Sequence, residues 1–241
     1  YRLAGLVELD EAFFGPRGKT RGRGSEAKTT VLCAVSLYRD RTGQDRPGFE
    51  RDKPFELHGG HAIGVGGFRL VAYFAPDEAV LHEPGKAFKA ALAGINGARA
   101  YVAAMCCGML QASLETAVRY TQQRRTFGQP VLEHQGVRWK LVDAATDLEA
   151  ARLLTYRAAR LIDEGADAVL PAAYAKKFTT DMAVNRIADC IQAMGANGLR
   201  AEYPLARHLA GAKIAAYTDG SIEMMNERIG AGLPAVFGTP T

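Results

Sequence analysis

The residues best able to do chemistry together stand in the stretch Tyr120-Thr-Gln-Gln-Arg-Arg-Thr-Phe-Gly-Gln-Pro-Val-Leu-Glu-His-Gln135. Arg124, Phe127 and Gln135 supply a guanidinium, an apolar ring and an amide. A guanidinium pairs bidentately with phosphate and an aromatic ring covers a planar group, so the set suits a phosphate-bearing aromatic ligand. The plain alternative is an ordinary connection between two helices. Other sets carry less. His58-Gly-Gly-His61 has metal-ligand residue types but no third ligand at helpful spacing, so no metal is expected. Arg17, Lys19, Arg21, Arg23 and Lys28 share one loop and could touch phosphates, although a solvated hairpin loop carries the same charges. Cys33, Cys106, Cys107 and Cys190 show neither CxxC nor zinc spacing, and the adjacent pair reads as small buried residues of a helix.

The elements that must position these groups change in kind along the chain. The central stretch reads as a helix end from Tyr120 to Arg125, a stop at Gly128 with Pro130 beyond it, and a new helix from Leu132. Helical periodicity runs from Ala87 to Gln123, from Leu132 to Glu164, from Asp167 to Gly195 and from Pro204 to Tyr217. Long helices with short connections predict an antiparallel bundle. Gly195 and Gly198 suit a helix C-terminus that needs positive φ. Before Pro84 the period is two. Leu6 to Gly15 alternates, with Val7, Leu9 and Phe13 apolar and Glu8 and Asp10 opposite, and Thr29 to Leu37 is a second strand. Tyr38 to Lys53 is a polar junction, and Pro54–His58 and Ala62–Phe74 read as short strands.

The fold class is therefore mainly α, an antiparallel helix bundle behind a short N-terminal β portion. Its segments are 1–44, 45–83 and 84–241. With 241 residues, 48% hydrophobic content and a net charge of +4, the chain is expected to be globular with a substantial core. No apolar run reaches about 18 residues, so no membrane span is expected, and the cysteine usage fits the cytoplasm.

Tyr120-x-x-x-Arg124-x-x-Phe127-Gly128, followed by Gln135, resembles the signature of the acyl-CoA dehydrogenases. Gln192-Ala-Met-Gly-Ala-Asn-Gly198, Glu202-Tyr203-Pro204 and Tyr217-Thr-Asp-Gly-Ser-Ile-Glu223 follow in that family's order, and the resemblance spans Asp45 to Ile229. It implies the end of a middle β-domain, then a C-terminal helical domain, in an FAD-dependent enzyme that dehydrogenates an acyl-CoA or related acyl thioester. It also implies a homo-oligomer that passes electrons to an electron-transfer flavoprotein. Carried over by motif, Arg124 pairs with the FAD pyrophosphate, Phe127 packs near the adenosine and Gln135 hydrogen-bonds the cofactor. Gln192, Gly195 and Ala196 contact it across the subunit interface, and Ser221 and Glu223 complete the set. Asn96, Arg99 and Gly220 fall at substrate-binding positions. Asp219 stands where the family usually has its Glu base, one methylene shorter, and Ala98 excludes the other position used for that base. From the residues alone, Asp219 reads equally as the N-cap of a helix from Ser221 to Arg228. Ala196 replaces a usual glycine, and Ala210-Gly211 replaces a common Arg-Asp pair.

Glu8-Leu-Asp-Glu-Ala-Phe-Phe-Gly15, the basic loop and Lys28-Thr-Thr-Val-Leu-Cys-Ala-Val35 resemble the opening hairpin of insertion-sequence transposases with a ribonuclease-H-like core. There the residue matching Asp10 is a metal ligand. Two-metal chemistry needs further carboxylates, which the chain does not supply after residue 45, so Asp10 alone makes no catalytic site. The resemblance implies a foreign β-hairpin joined in frame to a truncated dehydrogenase. Three readings follow: a flavin-dependent dehydrogenase, a non-catalytic bundle that only oligomerises, and a nucleic-acid binder. The last needs far more positive surface than one loop offers.

Overall fold

The computed structural model describes residues 7–14, 29–36, 49–51, 55–57, 68–70 and 87–238, with side chains given at 55–57 and from residue 94 on. The chain divides into two compact units, residues 1–55 with 64–94 and residues 56–63 with 95–241.

In the first unit β1 (Val7–Phe14) and β2 (Thr29–Ser36) pair antiparallel, with Val7 opposite Ser36 and Asp10 opposite Cys33. The alternation expected from the sequence is kept: Val7, Leu9 and Phe13 share one face, Glu8 and Asp10 the other. β3 (Phe49–Arg51) pairs antiparallel with β4 (Phe68–Leu70). β4 lies inside the expected Ala62–Phe74 strand. Phe55–Leu57, however, is not a strand. Phe55 is exposed there, and a strand without a packed face has little to hold it in a ladder. The basic loop from Pro16 to Lys28, His58 and His61 lie outside the described residues.

The second unit is the bundle. α1 (Ala87–Gln123) keeps its expected bounds, and α2 (Gln135–Asp163), α3 (Val169–Met194) and α4 (Leu205–Ala215) start or end a few residues inside theirs. A fifth helix, α5 (Ile222–Phe237), follows. Val102, Cys106, Leu110 and Ala117 form a stripe on α1 that buries against Leu141, Ala144, Leu148 and Ala151 of α2 and Met182, Ile187 and Cys190 of α3. The spacing of that stripe is the 3.6-residue period that made the helix legible. Ala100, Ala103, Ala158, Ala172 and Ala175 make a second, small-residue cluster, with Leu154 and Ile162 packed against it. Small residues let helix axes approach toward the lower end of the usual spacing of about 8–10 Å. A charged clasp fixes α2 on α3: the Arg186 guanidinium donates to Asp147 at 2.6 Å and Asp189 at 3.0 Å, and Lys140 reaches Asp189 at 3.0 Å. Hydrogen bonding to Asp147, outweighing partial burial, raises the pKa of Arg186.

Two sequence expectations change. α1 stops at Gln123, and Arg125–Thr126 (β5) pairs with Gln129–Pro130 (β6) as a minimal hairpin. Phe127 and Gly128 sit at its tip with φ of 51° and 82°. Positive φ at both central residues suits a type I′ turn, so Gly128 serves a hairpin rather than stopping a helix. Gly195 takes φ of 63° at the C-terminus of α3 as expected, but Gly198 does not appear among the positive-φ residues. Its reason is space, since a Cβ there would lie 2.9 Å from the Ile191 Cα. Gly211 has a like reason, because a Cβ would meet the Met109 sulfur at 3.0 Å where α4 crosses α1. Among the described residues one segment, Gly94–Gln123, is long and apolar enough to cross a membrane by length and composition. It is not a continuous apolar run, since Arg99, Glu115 and Arg119 interrupt it, and its apolar stripe is buried in the bundle core.

Gly198→Ala tests the close approach. The new methyl meets backbone atoms that cannot rotate away, so urea unfolding is expected to show a loss of about 1–3 kcal/mol. An unchanged midpoint would show that the turn relaxes freely.

Candidate functional site

The residues singled out by sequence gather at two ends of the bundle. At one end α1 finishes, α2 begins and α3 finishes. The Asn197 amide donates to the Tyr120 hydroxyl at 2.7 Å, and the Tyr120 ring meets Tyr203 edge-on at 6.3 Å, which ties the end of α1 to the segment between α3 and α4. His134 braces the hairpin: its Nε2 lies 3.0 Å from the Thr126 hydroxyl and its Nδ1 lies 3.1 Å from the Gln129 amide. On this braced end Arg124, Gln135, Gln192, Gly195 and Ala196 are all exposed. Phe127 stands 97% exposed at the hairpin tip, with only an edge contact to His134. The Arg124 guanidinium makes no ion pair among the described residues. Free guanidinium, uncovered ring and two amides fit a group that combines phosphate with an aromatic system.

At the other end, the loop Ala216–Gly220 joins α4 to α5. Asp219 has φ of 52° and Gly220 has φ of 93°. For an Asp the left-handed region costs roughly 1 kcal/mol and must be held by surrounding contacts. Three such contacts are present. The Arg99 Nε donates to the Asp219 carbonyl at 3.2 Å, and the Lys176 ammonium donates to the carbonyl of Gly220 and, at 3.5 Å, to that of Ala216. Arg99 is oriented in turn by the Asn96 side-chain oxygen, 3.1 Å from its Nη1. Gly220 is required twice over: its φ is positive, and a Cβ would lie 3.2 Å from the Met225 methyl and 3.6 Å from Arg99. The N-cap of α5 is Ser221, in extended conformation, so the reading of Asp219 as that cap is set aside. Glu223 is exposed in the first turn of α5, and its pKa falls because the Ser221 hydroxyl and its own backbone N–H donate to it.

Burial raises the pKa of Asp219, opposed first by Lys176 and then by Arg99. Burial also lowers Arg99, with Arg228 acting in the same direction and Asp219 against it. The half-buried carboxylate therefore feels the charge of two cations whose own hydrogen bonds go to the carbonyls of its loop. Lys176 is the residue that sequence reasoning missed. The available signal was a lysine next to the alanines Ala172, Ala173 and Ala175 in α3. It is fully buried, and desolvation brings its pKa down to about 8. Cys106, close enough for Lys176 to act on it, is pushed up to about 12 by burial and stays a thiol.

The two ends are not one site within a single chain. Arg99 lies inside α1 and Arg124 just past its end at Gln123, more than about 35 Å further along the chain at roughly 1.5 Å per helical residue. A separate cavity of about 740 Å³ between α2, α3 and α5 is lined by Asp147, Tyr174, Lys177, Phe178, Asn185 and Ile229 among others, and none of the candidate residues lies on its wall. Among the described residues no cluster of three or more His, Cys, Asp or Glu could hold a metal ion.

The family model for the acyl-CoA dehydrogenase C-terminal domain matches residues 85–233. The short-chain specific acyl-CoA dehydrogenase of Megasphaera elsdenii is 36% identical over 178 residues, 74% of this chain and 46% of that protein. The solved butyryl-CoA dehydrogenase from the same organism superposes with a TM-score of 0.80 at 32% identity, covering 94% of this chain and 56% of that one. So large a share takes in part of residues 1–44. A structure named for the electron transferring flavoprotein of Acidaminococcus fermentans matches with a TM-score of 0.80 at 27% identity, over 97% of this chain and 57% of that one. The chain spans about half the length of the curated relatives it matches, 46%, 39% and 55% for three of them.

Lys176 gives the site a pH signature. Its folded pKa lies below the unfolded value, so between about pH 8 and 10.5 the unfolded chain binds more protons and stability rises with pH. The difference in urea stability between the wild-type chain and Lys176→Met is expected to shift toward the wild type across that window. A flat difference would place the ammonium in a better-solvated setting than the structure gives it.

Proposed function

The chain belongs to the acyl-CoA dehydrogenase family, and from that premise we propose that it is the helical part of an FAD-dependent enzyme that removes two hydrogens from the α and β carbons of an acyl-CoA or related thioester. The observation that carries this reading is Asp219: a half-buried carboxylate on a left-handed loop, facing Lys176 and Arg99, at the position of the family's base motif. Asp219 takes the proton from the α-carbon. FAD, when bound, supplies the acceptor for the hydride that leaves the β-carbon. Arg99 fixes the Asp219 carbonyl, and Asn96 and Gly220 shape the adjoining surface, Asn96 through its bond to Arg99.

The residues that would hold the cofactor divide as the geometry divides them. Arg124 would meet the pyrophosphate, Phe127 the adenosine, and Gln135, Gln192, Gly195 and Ala196 the polar atoms along it. Ser221 and Glu223 would contact it from the other end. Because those ends are about 35 Å apart in one chain, one FAD is served by two copies, and the assembly is a homo-oligomer. The likeness to the structure named for an electron transferring flavoprotein supports such a protein as the electron acceptor. Cytoplasmic placement is part of the same reading and rests on cysteine usage. For residues 1–44, the transposase-like reading rests on the sequence motif alone.

Fused behind the N-terminal half of a complete relative, the chain is expected to bleach bound flavin on addition of butyryl-CoA. Asp219→Asn should slow that step by at least about 100-fold, the usual worth of a general base, while leaving the flavin absorbance in place. Full activity in the Asn variant would move the base elsewhere. Arg124→Gln should instead weaken FAD retention with the acyl step unchanged in the molecules that keep it.

A further inference from the structure

Lys176 is given no role by the reaction just set out, yet it heads the fully buried side chains by size. Its ammonium reaches both ends of one five-residue loop, the carbonyl of Ala216 where α4 finishes and that of Gly220 just before α5. Arg99 takes the carbonyl between them, that of Asp219. Two cations from two helices therefore hold three carbonyls of the loop that carries the carboxylate.

Carbonyls at a helix C-terminus attract cations, but two neutral amide donors would satisfy them as well. Burying an ammonium costs far more desolvation than burying an amide. A neutral donor gives no charge to Asp219, and that is what the lysine adds. The groups facing Lys176 are few. They are Asp219 on its loop and Arg99 and Cys106 on α1, with Arg228 of α5 reaching only Arg99.

We propose that Lys176 is a positioning residue for Asp219: it holds the Ala216–Gly220 loop in its left-handed form and supplies the positive charge that the carboxylate faces. The inference rests on the reading of Asp219 as the base. Asp219, pushed up by burial, is returned toward the ionised form first by Lys176. Lys176, brought to about 8, is still mostly charged at neutral pH, and Asp219 opposes its loss of the proton. Each keeps the other ionised in a place that favours neither.

The test uses the full chain labelled with ¹³C at aspartate Cγ, with the Asp219 resonance assigned by its loss in Asp219→Asn. In the wild type that resonance is expected to show a second inflection near pH 8, when Lys176 loses its proton. In Lys176→Met the acid midpoint of Asp219 is expected to rise by about one unit, the size of an opposite charge removed at short range. The amides of Thr218, Asp219 and Gly220 should exchange at least about tenfold faster. Lys176→Gln, which keeps donors without charge, should raise the midpoint too. A wild-type titration with no inflection near pH 8, or a folded Lys176→Met with an unmoved midpoint, overturns the proposal, and the wild-type arm needs no variant to fold. In the fused enzyme Lys176→Met should lower kcat at least about tenfold with KM little changed and move the acid limb of the pH profile upward. A wild-type fusion without flavin bleaching would count against the dehydrogenation itself while leaving the NMR outcome to decide the role of Lys176.

Discussion

Close packing around α3 is the constraint on which the rest depends. Ala172, Ala173, Ala175, Thr179, Thr180, Ala183, Ile187 and Cys190 of that helix are buried, so α3 is enclosed on most of its turns by α1, α2, α4 and α5. Alanine and threonine give little apolar area each, about 0.8 kcal/mol per buried methylene-sized group, but they allow short interaxial distances. A helix enclosed by such residues cannot rotate or slide without clashes, because interiors of this density do not deform smoothly. Every positioned group at the two ends inherits its place from this. Lys176 reaches the Ala216–Gly220 loop because α3 fixes its height along the bundle, and Asn197 reaches Tyr120 because α3 stops where Gly195 allows.

The same constraint explains what the sequence disclosed and what it withheld. Helices with long apolar stripes were legible, since Val102, Cys106, Leu110 and Ala117 repeat at helical spacing and bury as a set. The β1–β2 hairpin was legible from alternation. The turn between α1 and α2 was not, because a two-residue strand carries no periodicity and Phe127 is not a residue usually read as a left-handed turn position. Gly198 was open to misreading for a like reason, since a glycine kept for space looks the same as one kept for φ. Lys176 was hidden most completely. Its neighbours mark α3 as a core helix, and nothing local says that a lysine there turns inward to a loop forty residues later.

Of the site residues, the exposed group was legible as a chemical set and the buried group only through resemblance. Arg124, Phe127 and Gln135 lie close in sequence at one end of the bundle, so their residue types alone suited a phosphate-bearing aromatic ligand, beside the plain reading as a connection between two helices. Asn96, Arg99, Lys176 and Asp219 come from two helices and a loop, with Arg99 and Asp219 separated by 120 positions. No spacing rule joins them. What joins them is a poorly solvated place between α1, α3 and the loop, in which the carboxylate and the two cations each favour the other's ionised form.

That mutual dependence bears on the shorter side chain at the base position. Asp in place of Glu withdraws the carboxylate by one carbon–carbon bond, about 1.5 Å, and a misplacement of about 1 Å can cost roughly a hundredfold in rate. A loop tethered by a single bond could drift by that much. This one is tethered at Ala216, Asp219 and Gly220, by cations whose own positions are set by α1 and α3. The left-handed conformation at Asp219 is strained for any residue with a Cβ, though least so for Asp and Asn, whose short polar side chains tolerate it. The shorter residue thus suits the backbone the loop adopts while a longer one suits the reach of the chemistry. A glutamate substituted at this position would regain the reach and lose part of that backbone tolerance. Whether it runs faster or slower than Asp219 therefore measures which of the two, loop geometry or side-chain length, would limit the proton removal proposed for this loop.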